Sequence, residues 1–285
     1  MNAGARVASF GALLVAIFAV AAVAGRALDP ATEATDGTAA AEHAGSSHEP
    51  APAAATSGGL RLVAQTPTTL KPGRRVRLTF RIAGPRGETL REFETEQARR
   101  MHLIVVRRDL RRFQHLHPAQ DATGAWTIAL TLPDAGVYHA FADFTSAGER
   151  HTLGVDLFAG GRFEPLALPP PTGTAHVDGY DIALREHADS GATHPSASAS
   201  SHRELRFSVS RDGAAVRDLQ PYLGARGHLV MLRAGDLAYE HVHPLSTGAL
   251  AFATTGVAPG RYRLFLQFRH AGRVRTAAFT RVVTP

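Results

Sequence analysis

The sequence predicts an all-β protein: two tandem immunoglobulin-like or fibronectin-like β-sandwich domains after an N-terminal transmembrane or signal helix. Three observations predict it. Short alternating apolar segments are separated by Gly, Pro and Asp turns. A histidine-rich block occurs twice at domain spacing. A single long uncharged apolar run lies at the N-terminus.

The N-terminal run, Val7 to Gly25, lies between Arg6 and Arg26. An apolar helix of about 20 residues spans a bilayer core, whereas secretory h-regions are usually shorter. Residues 1–26 are therefore expected to be an uncleaved membrane anchor, with a cleaved signal as the alternative. Everything after this segment is expected to lie outside the cytoplasm, on the cell membrane or secreted. Residues 27–59, rich in Ala, Thr, Ser and Pro, read as a flexible linker. A second tract of this kind, 186–202, reads as a disordered insert.

The two domains are expected at 60–168 and 173–285, joined near Pro169-Pro170-Pro171. His102 to Pro118 reads HLIVVRRDLRRFQHLHP, and His228 to Pro244 reads HLVMLRAGDLAYEHVHP. Matching continues at Gly136-Val137-Tyr138 with Gly260-Arg261-Tyr262, and at Ala147-Gly148 with Ala271-Gly272. The predicted strands of the first copy are 60–66, 75–83, 101–107, 112–117, 125–132, 137–145 and 149–158. Those of the second are 176–185, 204–210, 227–233, 238–243, 248–254, 261–269 and 273–282. Tyr138 and Tyr262, at the head of the sixth strand in each copy, sit where a tyrosine corner would form.

The chain has 15 histidines and no cysteine. Lack of cysteine excludes disulfides, iron–sulfur clusters, thiolate zinc sites, blue-copper sites and a cysteine nucleophile. In the second copy the hairpin midpoint is Gly235-Asp236, suited to a two-residue turn, and pairing about it puts His228 opposite His243. The same arithmetic about Asp109-Leu110 puts His102 opposite His117. Directly opposed residues have Cβ atoms about 4.5–5.5 Å apart, and residues two apart on a strand share a face. Each copy thus presents a sandwich face, apolar at Ile104, Val106 and Phe113 or at Val230, Leu232 and Tyr239, that ends in three histidines at a rim.

His102, His115 and His117 are candidate ligands of one metal ion, and His228, His241 and His243 of another. Neutral imidazoles suit Cu(II) first and Zn(II) behind it. Copper, with zinc as the alternative, is the expected cofactor; water, Asp143, Glu240 or a linker histidine could supply a fourth ligand. The competing view makes the histidines structural, bracing a sandwich rim through N–H bonds to loop carbonyls. His139, His151, His176 and His270 have no counterpart in the other copy and read as surface or packing residues. The final hairpin is rich in arginine (Arg261, Arg263, Arg269, Arg273, Arg275) and reads as a solvated face. Walker, Rossmann and Gly-x-Ser-x-Gly motifs are absent, and no nucleic-acid partner is expected.

At His115 to Pro118 (HLHP) and at Pro221 to Pro244 (PYLGARGHLVMLRAGDLAYEHVHP) the chain resembles secreted or membrane-anchored proteins of high-GC bacteria with His-x-His-Pro β-sandwich domains. These are similar to small envelope sandwich domains associated with copper or heavy-metal handling, which implies fold more firmly than activity. In the first copy Glu94 to Met101 replaces the Gln220 to Gly227 segment, so the two sites need not be equal.

The expected function is extracytoplasmic metal buffering or delivery by a membrane-anchored protein, not an enzyme, with the metal ion and the cytoplasmic membrane as partners and no protein partner specified. The alternative is a structural or protein-interaction module of the cell envelope. A third class, a zinc-dependent enzyme, is opposed by two small repeated sites without an evident general base.

Overall fold

The computed structural model describes residues 56–188, 202–240 and 242–284. The anchor or signal segment, the 27–55 part of the linker, residues 189–201 and His241 lie outside the described residues. Among those described, no helix is long and apolar enough to cross a membrane.

The first copy contains β1 (Thr56–Ser57), β2 (Leu60–Ala64), β3 (Thr69–Leu70), β4 (Arg75–Ala83), β5 (His102–Arg107), β6 (Gln114–Leu116), β7 (Ala119–Gln120), β8 (Trp126–Thr131), β9 (Gly136–Ser146) and β10 (Glu149–Ala159). The second contains β11 (Thr174–Val177), β12 (Tyr180–Ala188), β13 (His202–Arg211), β14 (Ala214–Ala215), β15 (Gly227–Arg233), β16 (Tyr239–Glu240), β17 (His243–Pro244), β18 (Ala251–Thr255), β19 (Gly260–His270) and β20 (Arg273–Val283).

Each copy folds as two packed sheets. In the first the strand orders are β1-β2-β4-β8-β7 and β3-β10-β9-β5-β6, with β3 parallel to β10. In the second they are β11-β12-β13-β18-β17 and β16-β15-β19-β20. The chain crosses between the two sheets several times in each copy, as from β4 to β5, β6 to β7 and β8 to β9 in the first and from β13 to β15, β16 to β17 and β18 to β19 in the second, as immunoglobulin-like sandwiches do. The tyrosine corners are present: Tyr138 Oη donates to Asp134 O at 3.1 Å, and Tyr262 Oη to Ala258 O at 2.7 Å.

The sandwich interiors are separate. Trp126, Phe80, Leu103, Val105 and Tyr138 belong to the first, and Phe252, Leu229, Met231, Tyr262 and Phe268 to the second. A third cluster joins the copies: Ile104, Val106, Leu110 and Phe141 from the first pack with Val230, Leu232, Leu237 and Phe265 from the second. Odd and even residues of β5 therefore serve different cores, and every residue of this strand is buried. The apolar face of Ile104, Val106 and Phe113 is the outer face of the β5–β9 sheet, and the other copy covers it.

The contact is reciprocal. Phe113 stacks on Phe265 with centroids 4.1 Å apart, while Tyr239, the counterpart of Phe113, packs on Phe141, the counterpart of Phe265, at 5.4 Å. The same patch of each copy thus meets its equivalent, the pattern of an isologous two-fold interface within one chain. Leu168, near the Pro169-Pro170-Pro171 run, also packs against this seam.

Several expectations change at element ends. Predicted strand 176–185 is a hairpin, β11 and β12, turning at Asp178-Gly179, with Gly179 at φ 78°. Residues 186–188 and His202, assigned to the disordered insert, belong to β12 and β13 and pair as His187 with Glu204. Backbone pairing carries the strands beyond the point where composition turns polar. The β15–β16 connection is not a two-residue turn: Arg233 N donates to Ala238 O at 3.0 Å around a four-residue loop. Leu237, at φ 60° and 3 % exposed, turns back into the seam there. Predicted strand 238–243 divides, because β17 leaves β15 and pairs with β18 in the opposite sheet.

Candidate functional site

The seam's apolar face ends in histidines. β5 and β6 pair as Leu103 with Leu116 and Ile104 with His115, so the next step of that register sets His102 against His117, as the hairpin arithmetic expects. The His102 and His117 rings lie 5.2 Å apart, His115 and His117 4.7 Å, and His102 and His115 5.2 Å. One nitrogen from each of the three falls within a mutual 4.8 Å.

In the second copy β15 and β16 follow the same sum, with Met231 opposite Glu240 and Leu232 opposite Tyr239, but the expected opposition of His228 and His243 does not form, because His243 pairs with Ala253 of β18. His228 does not build a remote second rim. Its ring lies 4.6 Å from His115 and stacks at 5.7 Å on His102, with 5° between planes. The seam therefore brings one histidine of the second expected site, His228, to the three of the first. His243 belongs to β17 in the other sheet, and His241 lies outside the described residues.

The hydrogen bonds run in a line across the seam. His115 Nδ1 lies 2.6 Å from Gln267 Oε1, and the Gln267 amide nitrogen donates to Thr276 Oγ1 at 3.3 Å. With that amide orientation Oε1 accepts, so His115 Nδ1 carries the proton. His115 Nε2 faces His102 Nδ1 at 2.9 Å, and His102 Nε2 meets the Glu96 carbonyl oxygen at 3.3 Å. His117 Nε2 and His228 Nε2 are buried without a hydrogen-bond partner.

Burial is the largest influence on all four imidazoles and favours the neutral form. It lowers His117 to about 4 and His228 to about 3. His115 is held well below the ordinary histidine value by burial and by its three histidine neighbours; His102 is lowered by burial and by Arg99 and Arg150, against the Glu96 carbonyl bond. Neutral imidazoles with unused lone pairs are what a metal ion requires.

Asp143 pairs directly opposite His102 across β5 and β9. Burial raises its carboxyl to about 6, against the effects of Arg150 and of hydrogen bonds from Thr152 and from Tyr239 of the other copy. Asp143 stays a neighbour of the site. Glu240 does not reach it, because its side chain turns to the opposite face from Tyr239, where Oε1 lies 3.4 Å from Tyr262 Oη. Met101 and Met231 are core residues.

Gln267 is the residue that sequence reasoning missed. It occupies the repeat position of Asp143 and pairs opposite His228, as Asp143 pairs opposite His102. That alignment was the available signal. The loop that differs between copies keeps one shape: Glu96 pairs with Arg99, and Tyr222 with Ala225, through matching backbone bonds.

The unmatched histidines stay out of the cluster. His139 bonds Asp156 at 2.6 Å, His176 bonds Asp181 at 2.9 Å, His270 accepts from or donates to Tyr180 Oη at 2.7 Å, and His151 packs on Phe144. The arginine hairpin is not wholly a solvated face: Arg275 is 7 % exposed and lies 4.4 Å over the Tyr180 ring.

The chain belongs to the family described as "Domain of unknown function (DUF8832)", whose model matches twice, at residues 55–160 and 175–285. No curated protein matches. Among solved structures it is similar to FdeC, an Escherichia coli adhesin, at 13 % identity and TM-score 0.26, over 81 % of this chain and 65 % of that one. A Salmonella alpha-2-macroglobulin is similar at 14 % identity and TM-score 0.29, over 85 % and 16 %. Invasin, a bacterial integrin-binding protein, is similar at 14 % identity and TM-score 0.22, over 77 % and 39 %. The chain spans less than two thirds of each of these proteins. At these scores the likenesses carry no functional argument.

Proposed function

We propose that the chain is an extracytoplasmic structural or interaction module of the cell envelope, exported or anchored through residues 1–26, in which two sandwiches act as one rigid body. The observation that carries this reading is the reciprocal seam, where Phe113 meets Phe265 and Tyr239 meets Phe141. An interface that buries apolar side chains from both copies resists the hinge motion usual between tandem domains. The test uses the absence of native cysteine. Spin labels at Arg77→Cys and Ser208→Cys, both exposed, report the distance between the sandwiches. One narrow distance distribution is expected; a broad one, as for beads on a string, refutes the reading.

A second reading, copper or zinc buffering or delivery by the same envelope protein, is favoured by one specific observation. Three imidazoles offer nitrogens within a mutual 4.8 Å. In this reading the protein binds an ion without catalysing a reaction. Equilibrium dialysis of the full chain against Cu(II) or Zn(II) tests it, with retention expected and loss of all metal on dialysis contradicting it.

A further inference from the structure

The hydrogen-bonded line through His102 and His115 is short of one proton. It begins at an amide oxygen, Gln267 Oε1, and ends at a carbonyl oxygen, Glu96 O. Both ends accept, so both outer ring nitrogens, His115 Nδ1 and His102 Nε2, must carry N–H. Two neutral imidazoles have only those two protons. The inner pair, His115 Nε2 and His102 Nδ1, then face each other at 2.9 Å as two lone pairs. Such an arrangement needs a cation between the rings: a further proton, or a metal ion.

We propose that a divalent transition-metal ion, Cu(II) or Zn(II), takes that position, in a single centre built by both copies: His102 Nδ1, His115 Nε2 and His117 Nε2 are the ligands, and the second copy supplies Gln267 and His228. It deepens the metal-binding reading, on which it rests, by placing one centre on the seam that brings Gln267 to His115. Imidazole nitrogens around a tetrahedral ion at about 2.0–2.1 Å sit roughly 3.3 Å apart. The 2.9 Å pair must therefore open by only a few tenths of an ångström, and His117 Nε2, buried and without a bond, supplies the third lone pair. Gln267 is a positioning residue: by accepting the Nδ1 proton of His115 it fixes the tautomer that turns Nε2 inward. His228 stacks over His102 with its own Nε2 buried and unpartnered. Local charge does not forbid the ion. Arg99 acts against it, while the buried Asp143 lies opposite His102 and Arg150 is taken up by an ion pair with Glu96.

The centre differs from the sequence expectation in its count, one ion across the seam in place of one ion per copy. The full chain, stripped with chelator, is titrated with Cu(II) and with Zn(II) by calorimetry. One tight site per chain is expected, lost in His115→Ala. Gln267→Leu removes no ligand and is expected to weaken binding about 10- to 100-fold, and Gln267→Glu, which still accepts the Nδ1 proton, to restore it. Tetrahedral Co(II) absorption in the wild type, absent in His117→Ala, gives a readout independent of affinity and serves if His115→Ala does not fold. Wild-type affinity weaker than about 10 μM, Gln267→Leu binding as tightly as wild type, or tight binding that survives in His115→Ala would each overturn the proposal. A narrow label distance without metal binding would leave the rigid module standing and remove the metal-binding reading together with the centre, whereas tight binding that Gln267→Leu does not weaken would remove only the centre.

Discussion

At the scale of the residue, the buried imidazoles set the acid response. His228 is lowered to about 3 from an ordinary 6.5, so the unfolded chain takes up its proton first as pH falls. Its contribution to stability is complete above about 6.5 and is lost progressively between there and about 3. By pH 5 this single group costs about 2 kcal/mol. Asp143 has the opposite sign. Raised to about 6 from 3.8, it favours the folded state below 3.8 and loses that contribution as pH rises through about 6. Denaturant titrations from pH 7 to pH 5 should therefore show falling stability, and Asp143→Asn should steepen the fall by removing the opposing group; an unchanged or shallower slope would contradict these assignments. The tyrosine corner is a second residue-scale test. Tyr262→Phe deletes the 2.7 Å bond to Ala258 O and should lower stability by about 1–2 kcal/mol, read as a smaller urea midpoint at constant m.

At the scale of the element, pairing register was legible and burial was not. The hairpin sums of β5–β6 and β15–β16 follow from the histidine spacing, because the repeat shows the same hairpin twice. Alternation along β5 separates Leu103 and Val105 from Ile104 and Val106, yet both sets are apolar and nothing local says which one enters the sandwich. The four-residue β15–β16 loop was hidden for a related reason. Gly235-Asp236 has the chemistry of a tight turn, but Leu237 gains more by closing into the seam. Gly227 shows how closely β15 and β19 approach beside His228. A Cβ there would lie 2.6 Å from Gln267 O and 2.5 Å from a Leu250 methyl. Gly227→Ala should cost about 1–3 kcal/mol of stability and push His228 off the cluster, visible as a shifted His228 ring resonance in NMR. Wild-type stability and an unmoved resonance would show that β15 has room.

At the scale of the whole molecule, the repeat told how many sandwiches there are but not that they meet. Nothing in one copy's sequence names the other copy's outer face as its cover, and for that reason two triads were expected on two rims. The reciprocal stacking makes the seam a third core, shared by both copies. Phe113 and Phe265 should couple: a double-mutant cycle to Ala should return an interaction of about 0.5–1.5 kcal/mol, and zero coupling would mean the rings do not meet in solution. The most direct test of a shared core is calorimetric unfolding of the full chain with Phe265→Ala beside wild type. Phe265 is 4 % exposed, and its truncation should cost about 3–5 kcal/mol. A single transition that moves as a whole to lower temperature is the predicted result. Two transitions, with only that of the second copy displaced, would contradict it.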